Sequence, residues 1–227
     1  MADTPDLLIR DATDADIPAI VEIVNHAIRN STSMWETHET DIATRLEWLH
    51  SSQASGFPVL VAQTPDGHVA GYSSWKTFRP FSGYRHTVEH SLCISPAYKR
   101  QGIGSALLQA LLDRAREADV HVMIAGITST NIASRRLHER FGFQHGGLLP
   151  ECGTKYGRWM DLLFLYRIMS PPDLSPPTKD GSHAPAPNRA SALRAVLSQM
   201  GVDGFILPRG DEHLGEYVAP VPNGWHG

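Results

Sequence analysis

The segment from Ser95 to Ala106 has the composition of an anion-binding loop. It reads SPAYKRQGIGSA, with Lys99 and Arg100 shortly before Gly102 and Gly104. Glycines let backbone N–H groups approach a ligand closely, and the N-terminus of a following helix favours a phosphate. The sequence therefore predicts a phosphate-binding loop; the alternative is a tight strand-to-helix turn with solvated basic side chains. Neither standard nucleotide signature fits, because G-x-x-x-x-G-K-S/T is absent and no G-x-G-x-x-G stands in a Rossmann context.

A second group of residues has the chemistry to hold an amino-acid-like ligand. Arg79 and Arg85 flank the aromatic residues Phe81 and Tyr84. A guanidinium pairs a carboxylate through two hydrogen bonds, and aromatic rings make walls for a small side chain. Glu89 follows in an apolar segment and is a candidate proton acceptor. The alternatives are a hairpin tip whose arginines face water and a carboxylate on an exposed strand face.

Strand-like and helix-like patterns alternate around these residues. Helical spacing of apolar residues predicts helices over 13–29, 42–53, 105–118 and 131–141. Short apolar runs predict strands over 7–9, 57–63, 69–76, 87–94, 120–127, 143–149 and 159–168, with a turn-rich stretch before the last. The order β-α-α-β-β-β-α-β-α-β-β implies an α/β (α+β) protein with a mixed sheet and helices on its faces.

Composition excludes several classes of function. With 20 Lys+Arg against 24 Asp+Glu, the net charge of −4 gives no basic surplus for nucleic acid or an anionic membrane. Cys93 and Cys152 are the only cysteines, so neither a disulfide framework nor a zinc-type pairing is expected, and we predict no metal site. The first residues lack the regions of a secretion signal, and no run approaches the length of a membrane span. We expect a cytoplasmic protein.

Two segments resemble the signatures of the GNAT superfamily of acetyl-CoA-dependent N-acetyltransferases. QGIGSA at 101–106 is similar to its pyrophosphate loop, Q/R-x-x-G-x-G/A, and NIASRRLHERFGF at 131–143 to its second signature, N-x-x-A/S-x-x-L/F-Y/H-x-x-x-G-F. RPFSGYR at 79–85, TVEHS at 87–91 and KYGRW at 155–159 resemble the phosphinothricin and methionine sulfone/sulfoximine N-acetyltransferases. The resemblance covers residues 7–169 and implies the GNAT fold.

The resemblance also implies a site for acetyl-CoA as co-substrate. The implied cofactor-binding residues are Leu92, Cys93, Ile94, Arg100, Gln101, Gly102, Ile103, Gly104, Ser105 and Asn131. The strand containing Cys93 would bind the pantetheine arm through its main chain, and such backbone donors need no reorganisation as charge develops. We expect the Cys93 thiol to be a spectator, because nothing in its surroundings predicts a low pKa. Asn131 is also expected to cap the helix that it begins.

The same resemblance implies the catalytic and substrate-binding residues. An ammonium group must lose a proton before it can attack, and Glu89 is the implied base, directly or through water. His138 stands where many superfamily members carry a tyrosine that protonates the departing thiolate. A charged His138 or a water would serve, and the alternative is a partly buried histidine bonded to a neighbour. The predicted substrate-binding residues are Arg79, Pro80, Phe81, Arg85, Glu89, His90 and Ser91.

We therefore predict acetyl transfer to the α-amine of a small amino-acid-like compound, of the phosphinothricin, methionine sulfone or methionine sulfoximine type. Transfer would be direct, in a ternary complex, and the family resemblance implies a homodimer. One alternative is acetylation of a peptide or protein N-terminus, for which paired arginines would not be needed. Another is a non-catalytic acyl-CoA-binding module.

The C-terminal part differs from the rest. Nine of the 16 prolines follow Met169, which predicts a catalytic domain over 1–169 and a Pro-rich linker over 170–191. Residues 192–220 resemble the start of the N-terminal domain of Xaa-Pro aminopeptidases, without a metal-binding peptidase domain. A piece this short buries too little surface to fold alone. We predict a largely irregular extension over 192–227 without peptidase activity.

Overall fold

The structure is a computed structural model that describes residues 7–169. The predicted linker and extension lie outside these residues. Seven strands are present in the described part: β1 (Leu8–Asp11), β2 (Val59–Gln63), β3 (Val69–Thr77), β4 (Thr87–Ile94), β5 (Val122–Thr128), β6 (Gln144–Lys155) and β7 (Arg158–Ile168). The four α-helices are α1 (Ile17–Asn30), α2 (Ile42–Ala54), α3 (Ile103–Glu117) and α4 (Ile132–Arg140). The predicted order of elements is confirmed.

The strands form one sheet in the order β1-β2-β3-β4-β5-β7-β6. Every neighbouring pair is antiparallel except β4 and β5, which are parallel. A parallel pair needs a long crossover, and α3 supplies it between these two strands. The prediction of a mixed sheet with flanking helices is therefore confirmed.

Apolar side chains cover both faces of the sheet. On one face, Leu107, Leu108 and Leu111 of α3 pack against Met123 and Leu165. On the other face, α1 and α2 pack over the β1–β3 end; the buried side chains there include Ile17, Ile20, Val24, Leu49, Val61 and Tyr72. The spacing of the apolar residues on α1 is the helical repeat that turns one face towards the sheet.

The central parallel pair separates before its strands end. β4 and β5 are in register only from Thr87–Val122 to His90–Ala125. β4 then continues to Ile94 and β5 to Thr128 without pairing to each other. This leaves an opening between the two strands, which we call the β4–β5 opening, at the middle of the sheet.

Several element boundaries differ from the sequence prediction, among them the start of α1 at Ile17 instead of Thr13, and two of the differences bear on the site. β6 extends to Lys155, through the stretch predicted as turn-rich, with a change of register between Leu149 and Gly153. The turn is confined to Tyr156 and Gly157, whose φ angles of 51° and 70° are those of a two-residue type I′ hairpin. α3 begins at Ile103, two residues earlier than predicted, with Gly102 as its N-cap.

Within residues 7–169, no helix has both the length and the apolar character needed to cross a membrane.

Candidate active site

A cleft of about 790 Å³ runs from the β4–β5 opening to the N-terminus of α3. Nine of the predicted cofactor-binding residues line it: Leu92, Cys93, Ile94, Arg100, Gly102, Ile103, Gly104, Ser105 and Asn131. Gln101 does not, because its side chain turns back and donates a hydrogen bond to the Ala97 carbonyl at 3.2 Å. The elements thus bring a strand edge and a helix N-terminus to one cleft.

Gly102 and Gly104 shape the start of α3. Gly102 has a φ of +82°, a left-handed conformation that glycine adopts without steric cost. Gly104 lies under two side chains, since a Cβ there would come 3.3 Å from Leu137 Cδ2 and 3.8 Å from Leu92 Cδ2. The first N–H groups of α3 have no acceptor within the helix, so the loop can present donors to an anion.

Three basic side chains lie along the cleft. Lys99 and Arg100 were recognised in the sequence, but Arg140 was missed. Its guanidinium donates to the Ser105 hydroxyl at 3.2 Å, which brings the end of α4 to the loop. The available signal was its position within the second family signature. Together these cations give the cleft the charge that a phosphorylated ligand needs.

Asn131 has the predicted capping role. Its side-chain oxygen accepts a hydrogen bond from the Ser134 N–H at 3.1 Å, at the start of α4. The same residue lines the cleft, so capping also fixes its place beside the ligand space.

Glu89 lies on the face of β4 opposite to α3. Its carboxylate is 23% exposed, and the Lys76 ammonium is 3.6 Å from Oε2. Gly126 on β5 leaves room beside it, because a Cβ there would come 3.1 Å from Glu89 Oε1 and 3.4 Å from Leu162 Cδ1. Phe164 contributes a second apolar neighbour at this place. A carboxylate beside an apolar wall can accept a proton from an amine bound there.

His90 and His138 form a buried pair on the other face. Their Nε2 atoms are 3.0 Å apart, and His138 Nδ1 lies 2.7 Å from the Ser134 carbonyl. Since a carbonyl only accepts, His138 Nδ1 carries a proton. Burial lowers the pKa of His90 to about 3 and also lowers the pKa of His138. With both rings neutral, His90 Nε2–H must donate to the bare Nε2 of His138.

The sequence grouped His90 with Glu89 and Ser91 as substrate-binding residues, and the structure places His90 and Ser91 at the same cavity but on opposite faces of β4. Successive side chains of a strand point to opposite faces, so His90 lies on the α3–α4 side while its two neighbours lie on the other. Its partner His138 is buried on α4, in agreement with the alternative of a histidine bonded to a neighbour.

A cavity of about 130 Å³, which we call the junction cavity, passes through the β4–β5 opening. Ser33, Met34 and Tyr72 line it from one face of the sheet, and Ser134 and His138 from the other. Groups from both faces can therefore act on the same bound molecules.

Cys93 lines both the cleft and the junction cavity. Burial raises the pKa of its thiol to about 11, so the thiolate that a covalent mechanism needs is disfavoured at neutral pH.

The predicted substrate arginines lie on the connection between β3 and β4. Arg79 stacks its guanidinium over the Phe78 ring at 4.2 Å and donates to the Phe78 carbonyl. Pro80, Phe81 and Arg85 are exposed, Phe81 by 65%. None of these four residues lines the cleft or the junction cavity.

Among residues 7–169, no group of three or more His, Cys, Asp or Glu side chains is placed to hold a metal ion. Around the β4–β5 opening lie a carboxylate, an unpaired strand edge and a basic loop, a combination compatible with acyl transfer from a phosphorylated carrier.

Comparison with known proteins agrees with this chemistry. Residues 20–143 match the Acetyltransferase (GNAT) family. The chain is 44% identical to an L-methionine sulfoximine/L-methionine sulfone acetyltransferase of Pseudomonas aeruginosa, over 74% of this chain and 98% of that protein.

Two solved structures are also similar. A ribosomal-protein-alanine N-acetyltransferase from Brucella melitensis is 46% identical with a TM-score of 0.70, over 71% of this chain and 99% of that one. A phosphinothricin acetyltransferase from Sinorhizobium meliloti, in complex with acetyl-CoA, is 33% identical with a TM-score of 0.73, over 77% and 94% of the two chains. With its glycine loop, its β4–β5 opening and these relatives, the chain belongs to the GNAT family of acetyltransferases.

Proposed function

We propose that this protein transfers the acetyl group of acetyl-CoA to the α-amine of a small amino-acid-like acceptor, of the methionine sulfone, methionine sulfoximine or phosphinothricin type. The observation that carries the proposal is the β4–β5 opening, with the glycine loop at one end and Glu89 on the strand that borders it. The names of the similar acetyltransferases support this class of acceptor.

The two ends of the cleft take different parts of acetyl-CoA. The N–H groups at the start of α3, with Arg100 and Arg140 nearby, bind the pyrophosphate. The main chain of Leu92, Cys93 and Ile94 has no strand partner on its β5 side and binds the pantetheine amides. The thioester then lies at the opening.

Glu89 acts as the general base. It takes a proton from the acceptor ammonium, directly or through water, and the freed nitrogen lone pair attacks the thioester carbonyl. The new C–N bond forms, the C–S bond breaks, and the departing thiolate gains a proton. The raised pKa of Cys93 supports direct transfer in a ternary complex over an acyl-cysteine route.

The geometry favours water as the immediate proton donor to the thiolate. His138 lines the junction cavity, but its Nδ1 proton is directed at Ser134 and its Nε2 at His90. A neutral His138 in this arrangement has no free N–H to donate to the thiolate, because its one N–H is bound to the Ser134 carbonyl. We assign to His138 the role of shaping the cavity wall and ordering such a water.

The carboxylate of the acceptor is bound by Arg79 or Arg85. The side chain of the acceptor contacts Phe81 and the apolar wall that Leu162 and Phe164 form beside Glu89.

The exposed apolar side chains of β6 and β7 support pairing with a second copy, consistent with a homodimer; they are Leu148, Leu149 and Trp159. We place the enzyme in the cytoplasm. Light scattering of the purified protein tests the dimer.

A second candidate is acetylation of a protein N-terminus. The 46% identity to a ribosomal-protein-alanine N-acetyltransferase favours it. The exposed arginines on the β3–β4 connection are compatible with a peptide as well as with a free amino acid.

The experiment is a thiol-release assay with a panel of acceptors. The panel contains methionine sulfone, methionine sulfoximine, phosphinothricin and short peptides with N-terminal alanine. Turnover of the free amino acids with little turnover of peptides supports the first proposal, and the reverse supports the second. Acetyl-CoA binding without turnover of any amine contradicts both and indicates a non-catalytic module.

A further inference from the structure

We propose that the β6–β7 hairpin positions residues 33–35, which lie over the junction cavity and which we call its roof. Lys155 and Gly153 are the positioning residues. The consequence for the reaction rests on the proposed function, because the roof covers the place where amine and thioester would meet. The placement itself follows from contacts alone.

The roof is part of the segment between α1 and α2. Residues 31–41 belong to neither helix, and Ser33 and Met34 from this segment line the junction cavity. A segment without regular backbone hydrogen bonds takes its shape from the contacts that other elements make with it. Asn25 of α1 binds the backbone of Thr40 near the far end of the segment, and two further sets of contacts hold the stretch around Met34.

The first set of contacts comes from the hairpin turn. Lys155 is the last residue of β6, and its ammonium donates to the Met34 carbonyl. The residue is only 4% exposed, so its ammonium is partly desolvated where it holds this carbonyl. Next to it, the Tyr156 hydroxyl lies 2.8 Å from the Arg29 carbonyl and 3.1 Å from the Ile28 carbonyl, at the end of α1. Carbonyls in the last turn of a helix lack partners within it, and Tyr156 supplies one.

The second set of contacts surrounds Trp35. Its indole N–H lies 2.9 Å from Thr128 Oγ1 and 3.0 Å from the Thr32 carbonyl, and Thr128 Oγ1 itself donates to that carbonyl at 2.6 Å. These bonds tie the segment to the end of β5, at the rim of the β4–β5 opening. The tryptophan ring lies against β6 at Gly153.

Only glycine fits at position 153. A Cβ there would come 2.4 Å from Trp35 Cε3 and 2.5 Å from Cζ3, a separation that carbon atoms do not tolerate. Hairpin and indole ring are therefore in direct contact, and a displacement of either moves the other. Met34 and Trp35 are adjacent in the chain, so Lys155 and Gly153 act on one short stretch of the roof.

Met34, which Lys155 holds, lines the junction cavity and not the cleft, whereas Ser31, Thr32 and Ser33 of the same segment also line the cleft. Loosening the hairpin at Met34 should therefore weaken acceptor binding more than it weakens the binding of acetyl-CoA. Lys155 and Gly153 touch neither of the predicted reacting groups, so they are positioning residues.

The test compares Lys155→Met and Gly153→Ala with Lys155→Arg, which retains a cationic donor. The matched control is Tyr166→Phe, which removes the Tyr166–Gln144 hydrogen bond, 2.9 Å long, between the same two strands far from the roof. Steady-state kinetics with methionine sulfone gives the acceptor KM, and calorimetry gives the acetyl-CoA Kd. We expect Lys155→Met and Gly153→Ala to raise the acceptor KM about tenfold, as the loss of one hydrogen bond or contact would. Lys155→Arg should recover part of this loss, and the acetyl-CoA Kd should stay within about twofold of wild type.

A second measurement does not depend on turnover. In protein labelled with 5-fluorotryptophan, the ¹⁹F resonance of Trp35 is assigned by its disappearance in Trp35→Phe. Gly153→Ala should shift or broaden this resonance, and Tyr166→Phe should not. An unchanged Trp35 resonance overturns the proposed contact, even if Lys155→Met does not fold. An unchanged acceptor KM in folded variants of an active enzyme overturns the role in acceptor binding, whereas an inactive wild type overturns only the proposed function.

Discussion

His138 Nε2 lies 3.0 Å from His90 Nε2, in a contact that joins α4 to β4 through the interior of the protein. The arrangement is directional, because His138 uses its Nδ1 proton on the Ser134 carbonyl and must accept at Nε2. His90 is therefore the donor. The Ser134 carbonyl thus sets the tautomer of His138, which sets that of His90, and both rings border the cavity where the reaction is proposed to occur.

Removing one ring should leave the other with an unmet hydrogen bond. We expect His90→Phe to lower the free energy of unfolding by about 1–3 kcal/mol, since His138 Nε2 loses its donor in a buried place. His138→Phe should act similarly, and the double variant should cost less than the sum of the two, with a coupling of about 1 kcal/mol. Urea denaturation measures all three, and additive costs would contradict the bond. The exposed His121→Gln is the control.

The pair should also make stability depend on pH. The pKa of His90 is about 3 in the folded protein, against 6.5 for an unperturbed histidine. Between pH 6.5 and pH 3 the unfolded state therefore binds a proton at this residue that the folded state does not bind. The free energy of unfolding decreases as the pH falls through this range. The slope from this group is about 1.4 kcal/mol per pH unit. His90→Phe should flatten the curve of unfolding free energy against pH over this window. An unchanged curve would show that protonation of His90 does not destabilise the folded protein.

Glu89→Gln keeps the shape of the side chain and removes its ability to take a proton. We expect kcat to fall at least about 100-fold, within the usual range for a general base, with the acetyl-CoA Kd unchanged. Thiol-release kinetics and calorimetry provide the two readouts. Lys76→Met removes the exposed ammonium beside Glu89 and serves as the control for loss of a nearby charge. Full turnover by Glu89→Gln would contradict the assignment of Glu89 as the general base.

Gly126 should be needed for the space beside Glu89. A Cβ at Gly126 would press on Glu89 Oε1 at 3.1 Å and on Leu162 at 3.4 Å. Gly126→Ala should therefore lower kcat/KM for the acceptor about tenfold, as expected when a reacting group is displaced by a fraction of an ångström. Gly83→Ala is the matched control, because a Cβ at Gly83 meets nothing within 4 Å. Equal kinetics of the two variants would contradict the crowding argument.

The sequence predicted the features that depend on local pattern. The order of elements follows from apolar spacing, and Gly102 at the start of α3 follows from its position after a strand and before a helix. It did not predict the separation of β4 from β5, because nothing in the residue types beyond His90 and Ala125 makes them less suited to continued pairing. It also missed His90–His138 and Trp35–Gly153, which join residues far apart in the chain whose own neighbours carry no sign of the contact.

The β4–β5 opening gives the protein an edge strand in the middle of its sheet. Ser91 to Ile94 are paired to β3 on one side only, and an unpaired strand edge ordinarily recruits another peptide chain. Here the unpaired edge faces the cleft lined by the first residues of α3 and α4. A ligand with amide groups along an extended chain can complete the sheet there as a further strand would, held by backbone groups that every residue type possesses. Binding at this edge then depends on the backbone and not on the side chains of Leu92, Cys93 and Ile94, which serve packing alone. Such binding should survive the replacement of these residues by other apolar residues.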